Sequence, residues 1–253
     1  MSRTLVLLGT AGYHPSDVRQ TSCLMIPELG IVLDAGTGFY RAREFLQTST
    51  LDIFLSHVHL DHVIGLTYLF NVVGRRDMQR VAVHGEAAKL AAIEKHMLDT
   101  TLFPVPLPCQ WLPLTGPVAI GGGGTLRTFP LKHPGGSLGM RLDFPDGSLA
   151  YITDTTAAKS ADYVHEIRGV DLLIHECNFA DGYEDWAEKT GHSCLTPVCE
   201  VARAAEAKRL VLVHHNPVAD QPRRAPELVL DLQHARSIFP AVSMGNDRDQ
   251  FTF

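Results

Sequence analysis

The fold is decided by the stretch Leu51-Asp52-Ile53-Phe54-Leu55-Ser56-His57-Val58-His59-Leu60-Asp61-His62. An apolar run with strand character ends at Leu55, and four side chains able to bind a metal follow between His57 and His62. His57 and His59 are two apart and project to one side of an extended segment. Zinc takes nitrogen and oxygen ligands and keeps an open position in catalytic sites. The spacing therefore suits two ions better than one, each completed by ligands from elsewhere in the chain.

The alternative interpretation of this cluster is a histidine-rich surface loop. Short His-rich tracts of that kind tend to lack a strand in front of them. Here an apolar run leads in, and a second apolar run, Val63–Phe70, leads out and has the character of a buried helix. A junction between a strand and a helix holds a site on rigid elements, so the sequence favours a metal site.

The motif resembles the H-x-H-x-D-H signature of the metallo-β-lactamase superfamily. Further segments extend the resemblance in the same order along the chain: Asp34-Ala35-Gly36-Thr37-Gly38, His133 after Leu126–Lys132, Ile152-Thr153-Asp154-Thr155, and Leu210-Val211-Leu212-Val213-His214. The resemblance implies an α/β (α+β) fold, a four-layer αβ/βα sandwich with the metals at one edge of its two sheets. It covers nearly all of residues 1–253, which we interpret as a single domain.

The resemblance also implies a ligand set for two divalent cations roughly 3.5–4 Å apart. The first ion is assigned to His57, His59 and His133, and the second to Asp61, His62 and His214. Asp154 is assigned as the bridge, because a carboxylate has two oxygens and can bind two cations at once. Zinc is favoured, with manganese or iron as alternatives. His215 remains an alternative to His214, which is preferred because it directly follows the apolar strand.

Composition excludes several classes of protein. The 253 residues include 22 Lys and Arg against 28 Asp and Glu, a formal net charge of −6, and the mean hydropathy is +0.02. No apolar stretch approaches the roughly 18 residues of a membrane span, and Met1–Gly9 is too short in apolar residues for a signal peptide. We interpret it as the first strand.

The five cysteines are odd in number and form no C-x-x-C pair, which argues against a disulfide framework or zinc ribbon. They indicate free thiols in a reducing, cytoplasmic compartment. Cys194 is the one cysteine close to an assigned site residue. The short basic pairs Arg75-Arg76 and Arg223-Arg224 are interpreted as solvated surface, since a long polyanion needs clustered Lys and Arg.

Hydrophobic patterning predicts alternating strands and helices, an indication of mixed layers packed together. Predicted strands are Leu5–Leu8, Ile31–Leu33, Leu51–Leu55, Val81–His84, Leu126–Leu131, Met140–Phe144, Leu149–Ile152, Leu172–His175 and Leu210–Val213. Predicted helices are Phe39–Gln47, Val63–Phe70, Glu86–Leu98, Thr196–Ala207 and Pro226–Phe239. Thr196 is expected to cap its helix, with Pro197 at the first helical position.

A second resemblance narrows the chemistry. Gly191-His192-Ser193, downstream of Leu172–Phe179, resembles a region of RNase Z and related phosphodiesterases. It implies that His192 acts in catalysis without binding metal, donating a proton to the leaving oxygen, a role that suits an imidazole whose pKa lies near the working pH. The alternative is an ordinary loop histidine. His175 and Glu176 are expected to orient ligands or to lie in the core.

Two further features bear on the substrate. Gly9-Thr10-Ala11-Gly12 with Arg19-Gln20-Thr21-Ser22 resembles a glycine-rich turn and an Arg-Asn-Thr-Ser element of RNase Z-like proteins, with Gln20 in place of Asn. Only 20 residues separate His133 from Asp154, where many RNase Z enzymes carry a long arm that grips tRNA. Together with the acidic balance, this favours a small or nucleotide phosphodiester over long nucleic acid.

The sequence therefore predicts a dinuclear metal-dependent hydrolase, a phosphodiesterase in which a hydroxide between the metals attacks phosphorus. Asp61 is expected to orient the nucleophile, and His192 to act as the proton donor. The alternatives are a lactonase or thioesterase of the same superfamily, or a non-catalytic metal-binding scaffold. The resemblance also suggests a homodimer, and the lack of a long apolar stretch argues against a membrane partner.

Overall fold

The computed structural model describes residues 3–221, 223 and 225–253, so Met1 and Ser2 of the predicted first strand, and Arg224 of the second basic pair, lie outside the described residues. The first sheet has seven strands in the order β14-β1-β2-β3-β4-β5-β6, and the second has seven in the order β13-β12-β11-β10-β9-β8-β7. The strands are β1 Thr4–Gly9, β2 Cys23–Ile26, β3 Ile31–Leu33, β4 Thr50–Phe54, β5 Arg80–Gly85, β6 Gln110–Pro113, β7 Val118–Ile120, β8 Gly124–Leu131, β9 Ser137–Phe144, β10 Gly147–Ile152, β11 Leu172–Glu176, β12 Leu210–Val213, β13 Val242–Met244 and β14 Gln250–Thr252.

Short helices connect the strands. The α-helices are α1 Ala42–Phe45, α2 Leu60–Val63, α3 Leu69–Val73, α4 Ala87–Ala92, α5 Tyr163–Glu166, α6 Glu184–Thr190, α7 Leu195–Ala204 and α8 Leu232–Ile238. Single turns of 3-10 helix cover Pro27–Leu29, Thr37–Arg41, Ile64–Tyr68, Gly121–Gly123 and Pro226–Leu228, and a π-helical turn covers Ile93–Met97.

The two sheets pack face to face, and side-chain alternation along each strand builds the layers. In β1, Leu5 and Leu7 face the core between the sheets, where they meet residues of the second sheet such as Met140 and Ile174. Val6 belongs instead to the outer core, against helices α1–α4. Helices α5, α7 and α8 cover the outer face of the second sheet. This is the predicted four-layer αβ/βα sandwich.

Parallel strands lead to one edge of each sheet. Strands β3 to β6 run parallel to one another in the first sheet, and β10 to β13 do so in the second. The carboxyl ends of parallel strands share one edge of a sheet, where open α/β sheets place their ligand sites. Three of the predicted site segments follow the ends of β4, β10 and β12.

All nine predicted strands are confirmed, with ends shifted by up to three residues. Strands β2, β6, β7, β13 and β14 were missed. Each is only three or four residues long, and four of them lie at or beside a sheet edge, where partial exposure weakens the apolar pattern.

The predicted helices are present but shorter or divided. Val63–Phe70 is wrong as one continuous helix, because α2 and α3 flank a 3-10 turn there. Pro226–Phe239 is also wrong as one helix. The Asp231 side chain accepts hydrogen bonds from the amides of Gln233 and His234 and starts α8 afresh.

The predicted cap of α7 is wrong by two residues. Cys194 holds the cap position, so Thr196 and Pro197 are the second and third helical residues. The amide of Thr196 donates to Asp181 Oδ1 at 2.8 Å. Asp181, which lies well before the helix in the sequence, thus accepts from the helix terminus in place of the threonine hydroxyl. A residue far away in the sequence therefore replaced the local cap.

A tight turn and the β9–β10 hairpin fill the segment between His133 and Asp154, which leaves no long arm there, as predicted. All five cysteines are free. Within the described part of the chain, no helix has both the length and the apolar character needed to cross a bilayer.

Candidate dinuclear metal site

The first group of predicted ligands converges after β4 and β8. Ligand atoms of His57, His59, His133 and Asp154 lie within 4.8 Å of one another. Asp154 Oδ2 is 3.4 Å from His57 Nε2 and 3.5 Å from His133 Nε2. His133 Nε2 is also 3.2 Å from His59 Nδ1. Three imidazoles and one carboxylate oxygen thus face a common point.

The second group gathers on the other side of the same aspartate. Asp154 Oδ1 lies 3.2 Å from His62 Nε2 and 3.1 Å from His214 Nε2. Both nitrogens are 3.4 Å from Asp61 Oδ2. Asp154 therefore divides its two oxygens between the two groups, the arrangement required of a bridging ligand.

The structure distinguishes the two adjacent histidines. His214 points into the second group, whereas His215 Nε2 lies 3.0 Å from the carbonyl oxygen of Gly245 in the interior. Burial lowers the pKa of His215 to about 3, with a smaller contribution from the charge of Arg19, so this ring is neutral. Geometry places His214, and not its neighbour, among the candidate ligands.

Hydrogen bonds on the far side of each ring fix which nitrogen faces the site. His62 Nδ1 donates to Asp34 Oδ2 at 2.8 Å, and His133 Nδ1 donates to the carbonyl of Gly191 at 2.9 Å. Ser56 gives its hydroxyl proton to Asp34, so its oxygen accepts from His57 Nδ1 at 3.0 Å. In all three rings Nε2 therefore faces the site, and it presents a lone pair there when the ring is neutral.

Asp34 orients His62 directly and His57 through Ser56. From the sequence, only the Asp-and-Gly turn that contains Asp34 was singled out. Asp34 is fully buried and accepts from the Ser56 amide, the Ser56 hydroxyl, His62 and the Tyr151 hydroxyl. The sequence signal was an aspartate between an apolar strand and a glycine turn, which located the residue without revealing its partners.

The side chains present fit two divalent cations. His57 Nε2 is buried and has no hydrogen-bond partner, an arrangement that costs free energy unless something binds the nitrogen. Zinc prefers imidazole nitrogens and carboxylate oxygens as donors. Four such donors surround one point and four surround the other, when the two oxygens of Asp154 are counted separately. The geometry thus supplies an unsatisfied nitrogen and a suitable ligand set together.

The electrostatics favour ionised carboxylates and a neutral His57 ring. Burial opposes a charge on His62, but the carboxylates of Asp154 and Asp61 hold the pKa of His62 well above its usual range, so a cation would have to displace that proton. Burial, together with the smaller contribution of a charged His62, lowers the pKa of His57 to about 4. Burial opposes ionisation of Asp61 and Asp154, but the neighbouring His62 and His214 hold the pKa of each carboxyl well below its usual range. The carboxylates are charged at neutral pH and the His57 ring is neutral.

His192 stands beside both groups without belonging to the predicted ligand sets. One of its ring nitrogens lies within 4.8 Å of ligand atoms of Asp154 and His214. Its Nδ1 donates to Glu176 Oε1 at 3.1 Å, which turns Nε2 toward the site. Burial disfavours the charged ring, but the Glu176 carboxylate outweighs it and raises the pKa of His192 to about 9.

Glu176 is a buried hub whose four acceptor contacts hold the loops around His192. Its Oε1 accepts from the Thr155 amide as well as from His192, and its Oε2 accepts from the amides of Asn178 and Ser193. His175 turns the other way, into the core, where its Nε2 meets the Tyr163 hydroxyl at 3.0 Å. Of this predicted pair, only Glu176 touches the candidate site.

Strained backbone concentrates at the site. Among the residues that the structure describes, six other than glycine have positive φ, and four of these are Tyr13, Asp34, Asp154 and His214. Such conformations cost free energy and persist only where the surrounding structure enforces them. Asp154 and His214, which follow β10 and β12, are therefore held in unfavourable backbone geometry while their side chains join the candidate ligand groups.

Comparison with known proteins places the chain in a family. The model of the Beta-lactamase superfamily domain matches residues 30–215. This range contains all seven candidate ligands and His192. The chain belongs to the metallo-β-lactamase superfamily, and with this ligand geometry it is a metal-dependent hydrolase.

The relatives in sequence are named Ribonuclease Z. The protein from Salinibacter ruber is 30% identical, over 98% of this chain and 93% of its own length. The protein from Gemmatimonas aurantiaca is 28% identical, over 95% of this chain and 92% of its own length. That second alignment extends over 297 positions, more than the 253 residues of this chain. The relative therefore contains internal residues with no counterpart here.

A solved structure supports the fold alone. The metallo-beta-lactamase fold protein YhfI from Bacillus subtilis aligns over 100% of this chain and 99% of its own, with a TM-score of 0.78 and 20% sequence identity. The two proteins therefore share the fold.

Proposed function

We propose that the protein is a phosphodiesterase that adds water across a phosphodiester and releases a phosphomonoester and an alcohol. One observation carries the proposal: Asp154 divides its oxygens between two histidine groups while His192 faces the same point. The Ribonuclease Z names of its relatives support phosphorus, and not an acyl carbon, as the centre attacked.

Two cations would be held by the seven ligands, His57, His59 and His133 on one side, Asp61, His62 and His214 on the other, with Asp154 between them. Bound there, they would polarise a phosphoryl oxygen and make water a strong nucleophile at neutral pH. Zinc is favoured by the nitrogen-rich ligand set, with manganese and iron as the alternatives to be compared.

The chain's own groups then have separate tasks. Asp61 is an ionised carboxylate within reach of the second cation's position, and it orients the attacking water. His192 Nε2 faces the site and donates its proton to the ester oxygen as the phosphorus–oxygen bond breaks. The water's oxygen forms the new bond to phosphorus, and a proton released from that water replaces the one donated.

The substrate is proposed to be small. No arm occupies the segment between His133 and Asp154, which is used up by β9 and β10. The net charge of −6 gives long RNA no general electrostatic attraction. A cytoplasmic setting follows as a further proposal from the five free cysteines.

The test is hydrolysis of bis-p-nitrophenyl phosphate by protein loaded with zinc, manganese or iron. His192→Ala should lower kcat by roughly 10²–10⁴-fold while elemental analysis still finds both metals. His165→Ala, which removes an exposed histidine of α5, is the matched control and should leave turnover unchanged.

Four outcomes would contradict parts of the proposal. Metal loss in His192→Ala would show that His192 is itself a metal ligand, together with Asp154 and His214, whose ligand atoms lie close to its ring. Turnover of lactones or thioesters far above that of diesters would change the reaction class. Two bound metals without turnover of any ester would indicate a binding scaffold, and efficient cleavage of precursor tRNA would overturn the small-substrate assignment.

A further inference from the structure

Tyr13 is an exposed aromatic ring at the edge of the metal-binding groups. Its side chain is 81% exposed, the highest value among the large hydrophobic residues of the described chain. Its amide nonetheless donates to Asp61 Oδ2 at 2.8 Å, so its backbone is tied to a candidate metal ligand. An aromatic ring left in water beside a reaction centre gives up the stabilisation that burial would provide.

The backbone of Tyr13 is strained as well as exposed. Its φ is +61°, in the left-handed region that bulky residues rarely occupy. Asparagine or glycine would adopt this conformation at lower cost. The chain therefore keeps a bulky ring where folding alone would favour a small residue, which points from an observed outlier to a function.

The neighbouring residues fix where the ring stands. A Cβ added to Gly12 would lie 2.4 Å from His214 Cε1, so this loop is pressed against the second ligand group. The His14 ring packs edge-on against Tyr13, with centroids 5.3 Å apart and planes at 65°. His14 Nδ1 lies 2.8 Å from the carbonyl of Pro15, which restrains that ring. Tyr13 is thus held on one side and open on the other.

An aliphatic side chain is also exposed at this rim. Leu60, directly between His59 and Asp61, is 65% exposed. A group reaching out from a phosphate bound over the cations would therefore meet an aromatic face and an aliphatic side chain. Aromatic faces stack on flat π-systems such as nucleobases and phenyl groups, whereas they offer nothing specific to a short alkyl group.

We infer that Tyr13 is a specificity-determining residue that stacks on an aromatic ester group of the substrate, a nucleoside or aryl phosphate ester. The inference rests on the proposed function only in placing a phosphate over the cations. It adds the chemical class of one ester substituent, which neither the ligand set nor the fold specifies.

Binding of phosphomonoesters tests the inference without turnover. Calorimetry on the metal-loaded protein should show phenyl phosphate and thymidine 5′-phosphate binding roughly tenfold tighter than methyl phosphate, the scale of one stacked ring. Tyr13→Phe should keep this ratio, because it keeps the ring. Tyr13→Asn should bring the ratio close to one while its melting temperature stays equal or rises, because asparagine tolerates the positive φ.

Tyr40→Ala is the matched control, since Tyr40 is a second exposed tyrosine whose hydroxyl accepts from Arg41 Nε. It should leave the ratio unchanged. A wild-type ratio near one, or an unchanged ratio in Tyr13→Asn, overturns the inference. A ratio lost in Tyr13→Phe assigns the contact to the hydroxyl instead and overturns stacking. Aromatic preference without diester hydrolysis would contradict the proposed function and leave this inference standing.

Discussion

At the residue scale, the hydrogen bond made by the ring nitrogen that points away from the site affects how well the other nitrogen of the same histidine can bind a cation. Asp34 exerts this effect on His62 directly and on His57 through Ser56. One buried carboxylate thus orients ligands from both groups. Such supporting groups affect metal affinity nearly as strongly as the ligands themselves.

Replacing Asp34 by Asn should weaken metal binding by about 10- to 100-fold. The amide has one acceptor oxygen where the carboxylate has two, and its NH₂ would face donors. Asn also tolerates the positive φ of this position, so the change tests the charge and not the backbone. Competition with a chelator of known affinity measures the effect, and an affinity equal to wild type would refute the role.

Glu176→Gln should lower kcat by roughly 10²-fold, at the low end of what a positioned acid contributes, with both metals retained. Glu176 acts by holding His192, so its effect should vanish in the absence of that ring. In a His192→Ala background the second substitution should therefore change kcat little. Additive losses in the double variant would show that Glu176 acts by another route.

At the element scale, an ion-paired cluster joins β4 to β5 away from the metal-binding groups. Asp52 accepts from Arg80 Nη1 at 2.6 Å and lies 2.8 Å from His84 Nε2. Burial opposes ionisation of Asp52, but its hydrogen bonds with His84 and Arg80 lower the pKa of this carboxyl. The charged form is therefore favoured more in the folded chain than in the unfolded one.

This shift gives a stability that depends on pH. A carboxyl whose pKa falls on folding contributes stability above its unfolded pKa, 3.8 for Asp52, and loses it as the pH falls through the folded value. Urea unfolding should thus show Asp52→Asn clearly less stable than wild type at pH 7, with the difference shrinking below pH 3.8. A difference independent of pH would exclude this linkage.

The elements also show what the sequence can and cannot predict. The strands were predictable because both of their faces are buried, as the uninterrupted apolar run of β12 illustrates. The metal motif was recognisable because His57 to His62 lie within one short segment. The new helix start at Asp231, which divides the predicted helix Pro226–Phe239, depends on particular side-chain contacts. So does the hydrogen bond that Asp181 accepts at the start of α7. Tertiary contacts of this kind leave no periodic signal in a sequence.

At the scale of the whole molecule, the candidate ligands belong to both sheets. The H-x-H-x-D-H segment follows β4 of the first sheet, whereas His133, Asp154 and His214 follow strands β8, β10 and β12 of the second. Cations shared by these groups would connect the two halves of the sandwich. The expected homodimer is a separate matter that stays a prediction, to be checked by light scattering.

Removing the metals should therefore destabilise the entire fold. A ligand present at 100 times its dissociation constant stabilises the folded state by about 2.7 kcal/mol per site. Urea unfolding before and after dialysis against a chelator should show a loss of this order, restored by added zinc. His133→Ala should diminish the gain from added zinc, and an identical unfolding curve with and without metal would contradict the bridging role.

The wide separation of the ligands along the chain has a consequence for biosynthesis. Translation delivers His57 long before His214, and β14, which pairs with β1, is made last of all. A nascent chain whose His214 is still inside the ribosome would offer a second cation an incomplete ligand set. Capture of two metals would then be a late event in maturation, and a product cut short before His214 would lack one of the proposed ligands.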